Sequence, residues 1–249
     1  MENELTSAIA GKSVLITGGT TGIGRETAFL LAKHGASVMI FGRHREELNE
    51  ALQTIQDQIP AAQIQGIVAD VADQSDIQRV FSMLDGEFGT LDILVNNAGL
   101  GYSSIMKGEY KDWEYIVNTN LLGYMACAHE AIKRMEKNHR GHIANIGSMS
   151  ADTKEANSSV YVATKAGING FSTSLRKEAN SKGIKVSLIE PGAVNTNMQQ
   201  QSPAEKKEQV ADLHMLEATD IAQAILYILI QPPRCDVVFM QIRPHLQLI

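Results

Sequence analysis

The chain has 249 residues, enough for one well-buried domain or two small ones, and its 44% apolar and 20% charged residues make an ordinary globular balance. A formal net charge of -6 and a pI near 5.7 argue against nucleic acid or an anionic membrane as main partner, because neither would be attracted over long range. Small molecules and other proteins remain as partners, and a single domain over residues 1–249 is the expected organisation.

Residues 1–7 are polar and acidic and carry no targeting pattern; they open an N-terminal extension expected over 1–10. Residues 13–17 read as a short buried strand, and the Gly-rich turn from Gly18 to Gly24 feeds a helical pattern of Ile23, Thr27, Leu30 and Leu31 that Gly35 stops. A second strand at 37–41 precedes an amphipathic helix with Leu48, Leu52 and Ile55 on one face, ended near Pro60. Strand 64–68 leads to a helix capped at Ser75, with Ile77, Val80, Phe81 and Leu84 on its apolar face, and then to strand 93–96. A long helix over about 112–137 precedes strand 142–146. The helix bearing Tyr161 runs to Gly183 and strand 185–189, and a helix near 219–230 precedes a seventh strand at 237–242.

This alternation predicts an α/β fold of the Rossmann-like, doubly wound type: a mostly parallel seven-stranded sheet with helices on both faces and ligands bound beyond the strands' carboxyl ends. Residues 193–216 are polar, Gln-rich and irregular, and read as a lid over the site. Cys127 and Cys235 show no C-x-x-C or Cys/His spacing, so neither a disulfide framework nor a metal site is implied. No apolar run approaches the roughly 18 residues of a membrane span, which leaves a cytoplasmic protein as the expectation.

Two patterns carry chemistry. In Thr17-Gly-Gly-Thr-Thr-Gly-Ile-Gly24 the backbone can turn tightly and approach a ligand, and the following helix offers unpaired N–H groups to an anion such as a pyrophosphate. No Lys-Ser or Lys-Thr follows, which disfavours nucleotide triphosphate hydrolysis. In Tyr161-Val-Ala-Thr-Lys165 a helix places a phenol and an ammonium on one face, and a neighbouring cation favours the phenolate, so Tyr161 is expected to exchange a proton near neutral pH with Lys165 tuning it. The segment around Ser148 lacks the glycines of a nucleophile elbow, and no histidine is singled out by spacing; His139 and His142 read as surface or strand-edge residues.

Taken together, the glycine loop, Asn96-Asn-Ala-Gly99, Asn120 in Asn-Leu-Leu-Gly123, Ser148, the Tyr161/Lys165 pair and Pro191-Gly192 resemble, in order, the short-chain dehydrogenase/reductase family. The resemblance lies with its compact one-domain branch and extends from about Lys12 to Pro244. It implies a nicotinamide cofactor and hydride transfer to or from a carbonyl carbon. By the same resemblance Gly18, Gly22, Ile23 and Gly24 form the diphosphate cradle, Asp70 and Val71 contact adenine, and Asn96, Ala98 and Gly99 stand behind the nicotinamide ribose. Pro191, Gly192 and Thr196 contact the nicotinamide end. Ser148, thirteen residues before Tyr161, steadies the substrate oxygen, and Tyr161 is the acid. Lys165, with Tyr161, also meets the ribose, and Asn120 orders a water that reprotonates Lys165.

About 20 residues beyond the glycine loop, where an acid would accept the adenosine ribose hydroxyls, stands Gly42, followed by Arg43. With no carboxylate there, Arg43 is free to meet a 2′-phosphate and Thr20 to add a hydrogen bond, so NADP(H) is expected over NAD(H). A homo-oligomer is expected from Ala163, Ala166, Gly167 and Gly170, small residues along the Tyr161 helix that permit close packing, although packing within one subunit would explain them as well. Two other readings compete: a non-catalytic nucleotide sensor or scaffold, expected to have lost members of the catalytic set, and an epimerase or dehydratase of the longer branch, for which this chain has little room. The ending Met240-Gln-Ile-Arg-Pro-His245 departs from the usual glycine pair and resembles a hydroxy-acid and ketone reductase sub-branch, which weakens any carrier-protein reductase assignment.

Overall fold

The strand Ser13–Thr17 (β1) is buried along its whole length, as a strand covered on both faces of a parallel sheet must be. The structure, a computed structural model, describes residues 8–247. From β1 the chain runs through helix Gly22–Lys33 (α1), strand Ser37–Gly42 (β2), helix Arg45–Gln58 (α2), strand Gln63–Val68 (β3), helix Gln74–Phe88 (α3) and strand Ile93–Asn96 (β4). Helix Tyr110–Val117 (α4) passes through a π turn at Asn118–Leu122 into helix Gly123–Met135 (α5), followed by strand Gly141–Ile146 (β5). The short helix Ser150–Thr153 (α6) and the long helix Ser159–Ala179 (α7) lead to strand Ile184–Pro191 (β6). Strand Val194–Asn195 (β7), helix Pro203–Ala211 (α8), strand Leu216–Glu217 (β8), helix Ala218–Leu229 (α9) and strand Phe239–Ile242 (β9) complete the order.

The main sheet has seven strands in the order β3-β2-β1-β4-β5-β6-β9, and every pairing in it is parallel. Alternate residues of β1 serve opposite faces. Val14 and Ile16 join the core beneath α1, α2 and α9, while Leu15 joins the one beneath α3, α5 and α7. The strand order reverses direction between β1 and β4, which opens a crevice at their carboxyl ends. At the opposite edge the buried Asp92 closes the sheet. It accepts from Ser13 N (3.1 Å) and pairs with Lys12 (3.6 Å) and Arg140 (3.1 Å).

The expected seven-stranded architecture stands, and four local readings are corrected. The cap of α3 is Asp73, whose carboxylate accepts from Ser75 N at 2.7 Å and Asp76 N at 3.1 Å; Ser75 is already inside the helix. The long fourth helix contains the π turn, and the last strand starts at Phe239. His142 is neither a surface nor an edge residue but a buried member of β5, and burial depresses its imidazole to about 3. The Ser187 hydroxyl gives its one proton to Val237 O (2.7 Å), so His142 Nε2 must donate to Ser187 Oγ (2.8 Å). Of the N-terminal extension, residues 1–7 lie outside the described residues, while Ile9 is buried in the core.

Candidate active site

The glycine loop after β1 is locked to the turn after β4. Thr17 Oγ1 accepts from Asn97 N and Ala98 N, both at 2.9 Å, and Asn97 Nδ2 donates to Thr17 O and Gly18 O, both at 3.0 Å. Gly18 has a left-handed φ of +62°, and a Cβ on it would lie 2.8 Å from Ala98 Cα; a Cβ on Gly24 would lie 2.2 Å from the Gly18 carbonyl oxygen. The loop therefore closes only with glycine at both positions. Its packing leaves Gly18, Thr20, Gly22 and Ile23 on the wall of a cleft of about 1480 Å³. Thr21, at the start of α1, makes no side-chain cap, so the first N–H groups of that helix are left for an anion.

Gly24 does not line the cleft; it is buried and lets α1 approach the loop. Asn96 is likewise displaced from its expected place: fully buried, it donates to Tyr124 O (3.2 Å) and Asn145 Oδ1 (3.0 Å), and the wall is built from Asn97, Ala98 and Gly99 instead. Side chains alternate across a strand, and Asn96 is the last residue of β4 pointing into the sheet's helical layer.

At one end of the cleft stand Gly42, Arg43, Asp70 and Val71. A Cβ at Gly42 would lie 2.8 Å from Thr20 Oγ1, so this strand end has no room for a carboxylate side chain unless Thr20 moves. Arg43 donates to the Tyr115 hydroxyl, which donates to Asp70 Oδ2 at 2.6 Å. Asp70 also closes the turn ahead of α3, its carboxylate accepting from Ala72 N at 2.9 Å and its carbonyl from Asp73 N at 3.1 Å.

At the other end lie Ser148, Tyr161 and Lys165. Lys165 is buried, and its ammonium donates to Ile146 O (3.0 Å), which also accepts from the Tyr124 hydroxyl (3.1 Å). Burial lowers Lys165 from 10.5 to about 8, with the Glu190 carboxylate pulling the other way. The expected lowering of Tyr161 by Lys165 is not what the site produces. Burial pushes the phenol above its ordinary value, the hydrogen bond with Ser148 lowers it, and the Glu155 carboxylate raises it further. Lys165 Nζ sits 5.7 Å from the Tyr161 ring centroid, and the same burial that raises the phenol weakens the ammonium as a charge.

Asn120, in the π turn, does not reach the cleft; its amide embraces Leu100, accepting from its N and donating to its O, each at 2.8 Å. Its Oδ1 lies 3.8 Å, and Lys165 Nζ 3.7 Å, from where a Cβ on Gly99 would stand, so the two flank one backbone point. Pro191 and Gly192 line the cleft, and Thr196 crosses over the loop to within 3.1 Å of the Gly22 Cβ position. The buried Lys206 fixes Thr196 by donating to its carbonyl at 2.8 Å. Sequence reasoning missed Tyr115, Asn97, Glu155, Glu190 and Lys206. Asn97 and Glu190 adjoin quoted motifs and Lys206 lies within the expected lid at 193–216, so these three were open to notice, whereas nothing in the spacing of Tyr115 points to the cleft.

Comparison with known proteins decides the family, since the model described as short chain dehydrogenase matches residues 12–207. The chain belongs to the short-chain dehydrogenase family. It is 32% identical over 240 residues to an uncharacterized oxidoreductase of Staphylococcus aureus, covering 96% of this chain and 99% of that one. A Staphylococcus epidermidis oxidoreductase, also uncharacterized, is 34% identical over 234 residues, covering 94% and 97%. Among solved structures, a variant of actinorhodin polyketide ketoreductase with NADPH is similar at a TM-score of 0.85 and 26% identity, covering 95% of this chain and 97% of that chain. Levodione reductase is similar at 0.84 and 27%, covering 94% and 96%. The 3-ketoacyl-(acyl-carrier-protein) reductase of Brucella melitensis complexed with NADH is similar at 0.84 and 25%, covering 95% and 98%. This short-chain dehydrogenase is thus an oxidoreductase with a fold that binds a nicotinamide cofactor. The cleft fits such a group: it offers an uncapped helix N-terminus, a side-chain-free glycine loop, and the buried, unpartnered Thr119 hydroxyl on the same wall. No helix among the described residues is long and apolar enough to cross a membrane.

Proposed function

We propose that this short-chain dehydrogenase transfers a hydride between NADP(H) and a carbonyl or secondary alcohol substrate, with Tyr161 as general acid and base. The observation that carries the reading is the single cleft that runs from Arg43, past the glycine loop, to Ser148, Tyr161 and Lys165. A reduced nicotinamide bound there supplies the hydride. The chain's own residues manage the oxygen: Ser148 donates to it as charge develops, and Tyr161, protonated because burial holds its pKa up, delivers the proton. Lys165, near its own pKa of about 8, restores that proton and holds the ribose. Asn120, its amide bonded to the Leu100 backbone behind Gly99, in this reading orders the water through which solvent reprotonates the amine.

In this reading Gly18, Gly22 and Ile23 hold the diphosphate, Val71 and Asp70 the adenine, and Pro191, Gly192 and Thr196 the nicotinamide end. Arg43 meets the 2′-phosphate and Thr20 assists it, while the packing of Gly42 against Thr20 keeps away the carboxylate that an NAD(H) site would use. The chain forms one domain, residues 193–216 serve as the substrate lid, and the protein works in the cytoplasm. It pairs with itself along α7, where Ala163, Ala166 and Gly170 are exposed while Gly167 is taken up by Leu121 of its own chain. A monomeric mass by light scattering contradicts that pairing.

Oxidation of NADPH and of NADH over a panel of aldehydes and ketones tests the function. The expected result is turnover with at least one carbonyl and kcat/KM at least about tenfold higher with NADPH, the equivalent of one charge-assisted contact. Arg43→Ala should remove most of that preference. Equal use of both cofactors, or a preference untouched by Arg43→Ala, contradicts the assignment.

A further inference from the structure

At the Arg43 end of the cleft, a cation and an anion stand on either side of a phenol. Arg43 donates through Nη1 to the Tyr115 hydroxyl, and its guanidinium carbon lies 5.6 Å from the centroid of the Tyr115 ring. The same hydroxyl donates to Asp70 Oδ2 at 2.6 Å. Asp70 Oδ1 is held by Ala72 N at 2.9 Å, and the Asp70 backbone N–H by Asp76 Oδ2 at 2.7 Å, so the carboxylate is fixed in place. Tyr115 projects from α4, none of whose residues lines the cleft, and reaches the wall residues Arg43 and Asp70 from behind.

We propose that Tyr115 is a positioning residue for cofactor choice, keeping Arg43 and Asp70 apart so that the guanidinium stays available to a 2′-phosphate and the carboxylate to adenine. The proposal rests on the NADP(H) reading of Arg43. Its physical basis is competition. A guanidinium and a carboxylate this close to one hydroxyl can form a direct forked pair, which would consume the donors that a phosphate needs and the acceptor that an adenine amine needs. The phenol prevents this by accepting from one and donating to the other. It holds its proton for that purpose: burial raises it, the hydrogen bond to Asp70 adds to the rise, and Arg43 opposes. With a single proton committed to Asp70, the lone pairs face Arg43, and the neighbouring ring, its centroid 5.6 Å from the guanidinium carbon, limits where the guanidinium can go.

Tyr115→Phe keeps the ring and deletes the relay. Dissociation constants of NADPH and NADH for the full chain are measured by calorimetry, with Arg43→Ala and the double variant alongside. The expected result is at least about a fivefold weakening for NADPH, a smaller weakening for NADH through the adenine contact that both cofactors share, and no further NADPH loss when Tyr115→Phe is added to Arg43→Ala. Turnover at saturating NADPH is expected to stay unchanged. Tyr115→Leu, which also lacks the hydroxyl, gives the same reading should the phenylalanine variant not fold. An unaltered ratio of the two constants in these variants, or equal weakening of both cofactors, overturns the role of Tyr115. Absence of any NADPH preference in the unaltered protein overturns instead the Arg43 reading beneath it, and the proposal with it.

Discussion

Lys165 is the residue at which burial and function conflict. Its folded pKa of about 8 lies below the ordinary 10.5, so between these values the unfolded chain holds a proton that the folded chain has released. On its account stability rises with pH across that window, and below about pH 8 the protein carries a buried ammonium held by Ile146 O. The proposed function runs the other way, because the ammonium that it assigns to the ribose is lost as pH rises through about 8. Cofactor affinity measured from pH 6 to pH 10 is therefore expected to fall above about pH 8, and Lys165→Ala to be weak throughout, with no such inflection. Affinity flat with pH in the unaltered protein removes the ribose role. The sequence showed this residue and its partner Tyr161 by spacing together with the surrounding motifs, but not the direction of the Tyr161 shift, because burial of the phenol and its neighbours Ser148 and Glu155 depend on how other elements pack against α7.

The elements were largely legible because central parallel strands are continuous apolar runs, and β1, β2 and β4 need no partner to be recognised. What escaped were choices between chemically equivalent neighbours. Asp73 and Ser75 are both good caps, and only the chain path decides that Asp73 reaches two N–H groups. The π turn carrying Asn120 has no composition of its own, and its contact with the Leu100 backbone joins residues distant in sequence. Asp92 was silent in sequence for the same reason, its partners lying at the starts of β1 and β5. Asp92→Ala strands the buried Ser13 N–H and is expected to lower unfolding stability by about 1–3 kcal/mol while leaving turnover per folded molecule unchanged. Denaturant unfolding checks this, and an unshifted midpoint with unchanged slope contradicts it.

At the scale of the whole molecule, the amino edge of the sheet is tied down by ion pairs and the carboxyl edge is given to the cleft, a division that follows from the parallel topology. Candidate site residues scattered from Gly18 to Thr196 converge because every one follows a strand or faces one. Those that failed to reach the wall, Gly24, Asn96 and Asn120, brace the segments that do. The glycine loop, the Asn-Ala-Gly turn and the Tyr161/Lys165 pair were readable since each is local in sequence. The phenol bridging Arg43 and Asp70 was not, being assembled from three distant segments. The proposed function stands or falls with Tyr161 as the proton donor in a nicotinamide-dependent carbonyl reduction. Its most direct test is the turnover of Tyr161→Phe at saturating NADPH, with NADPH affinity measured on the same preparation. The expected result is a fall in kcat of at least about a hundredfold with affinity nearly intact, and unchanged turnover would rule out Tyr161 as the acid.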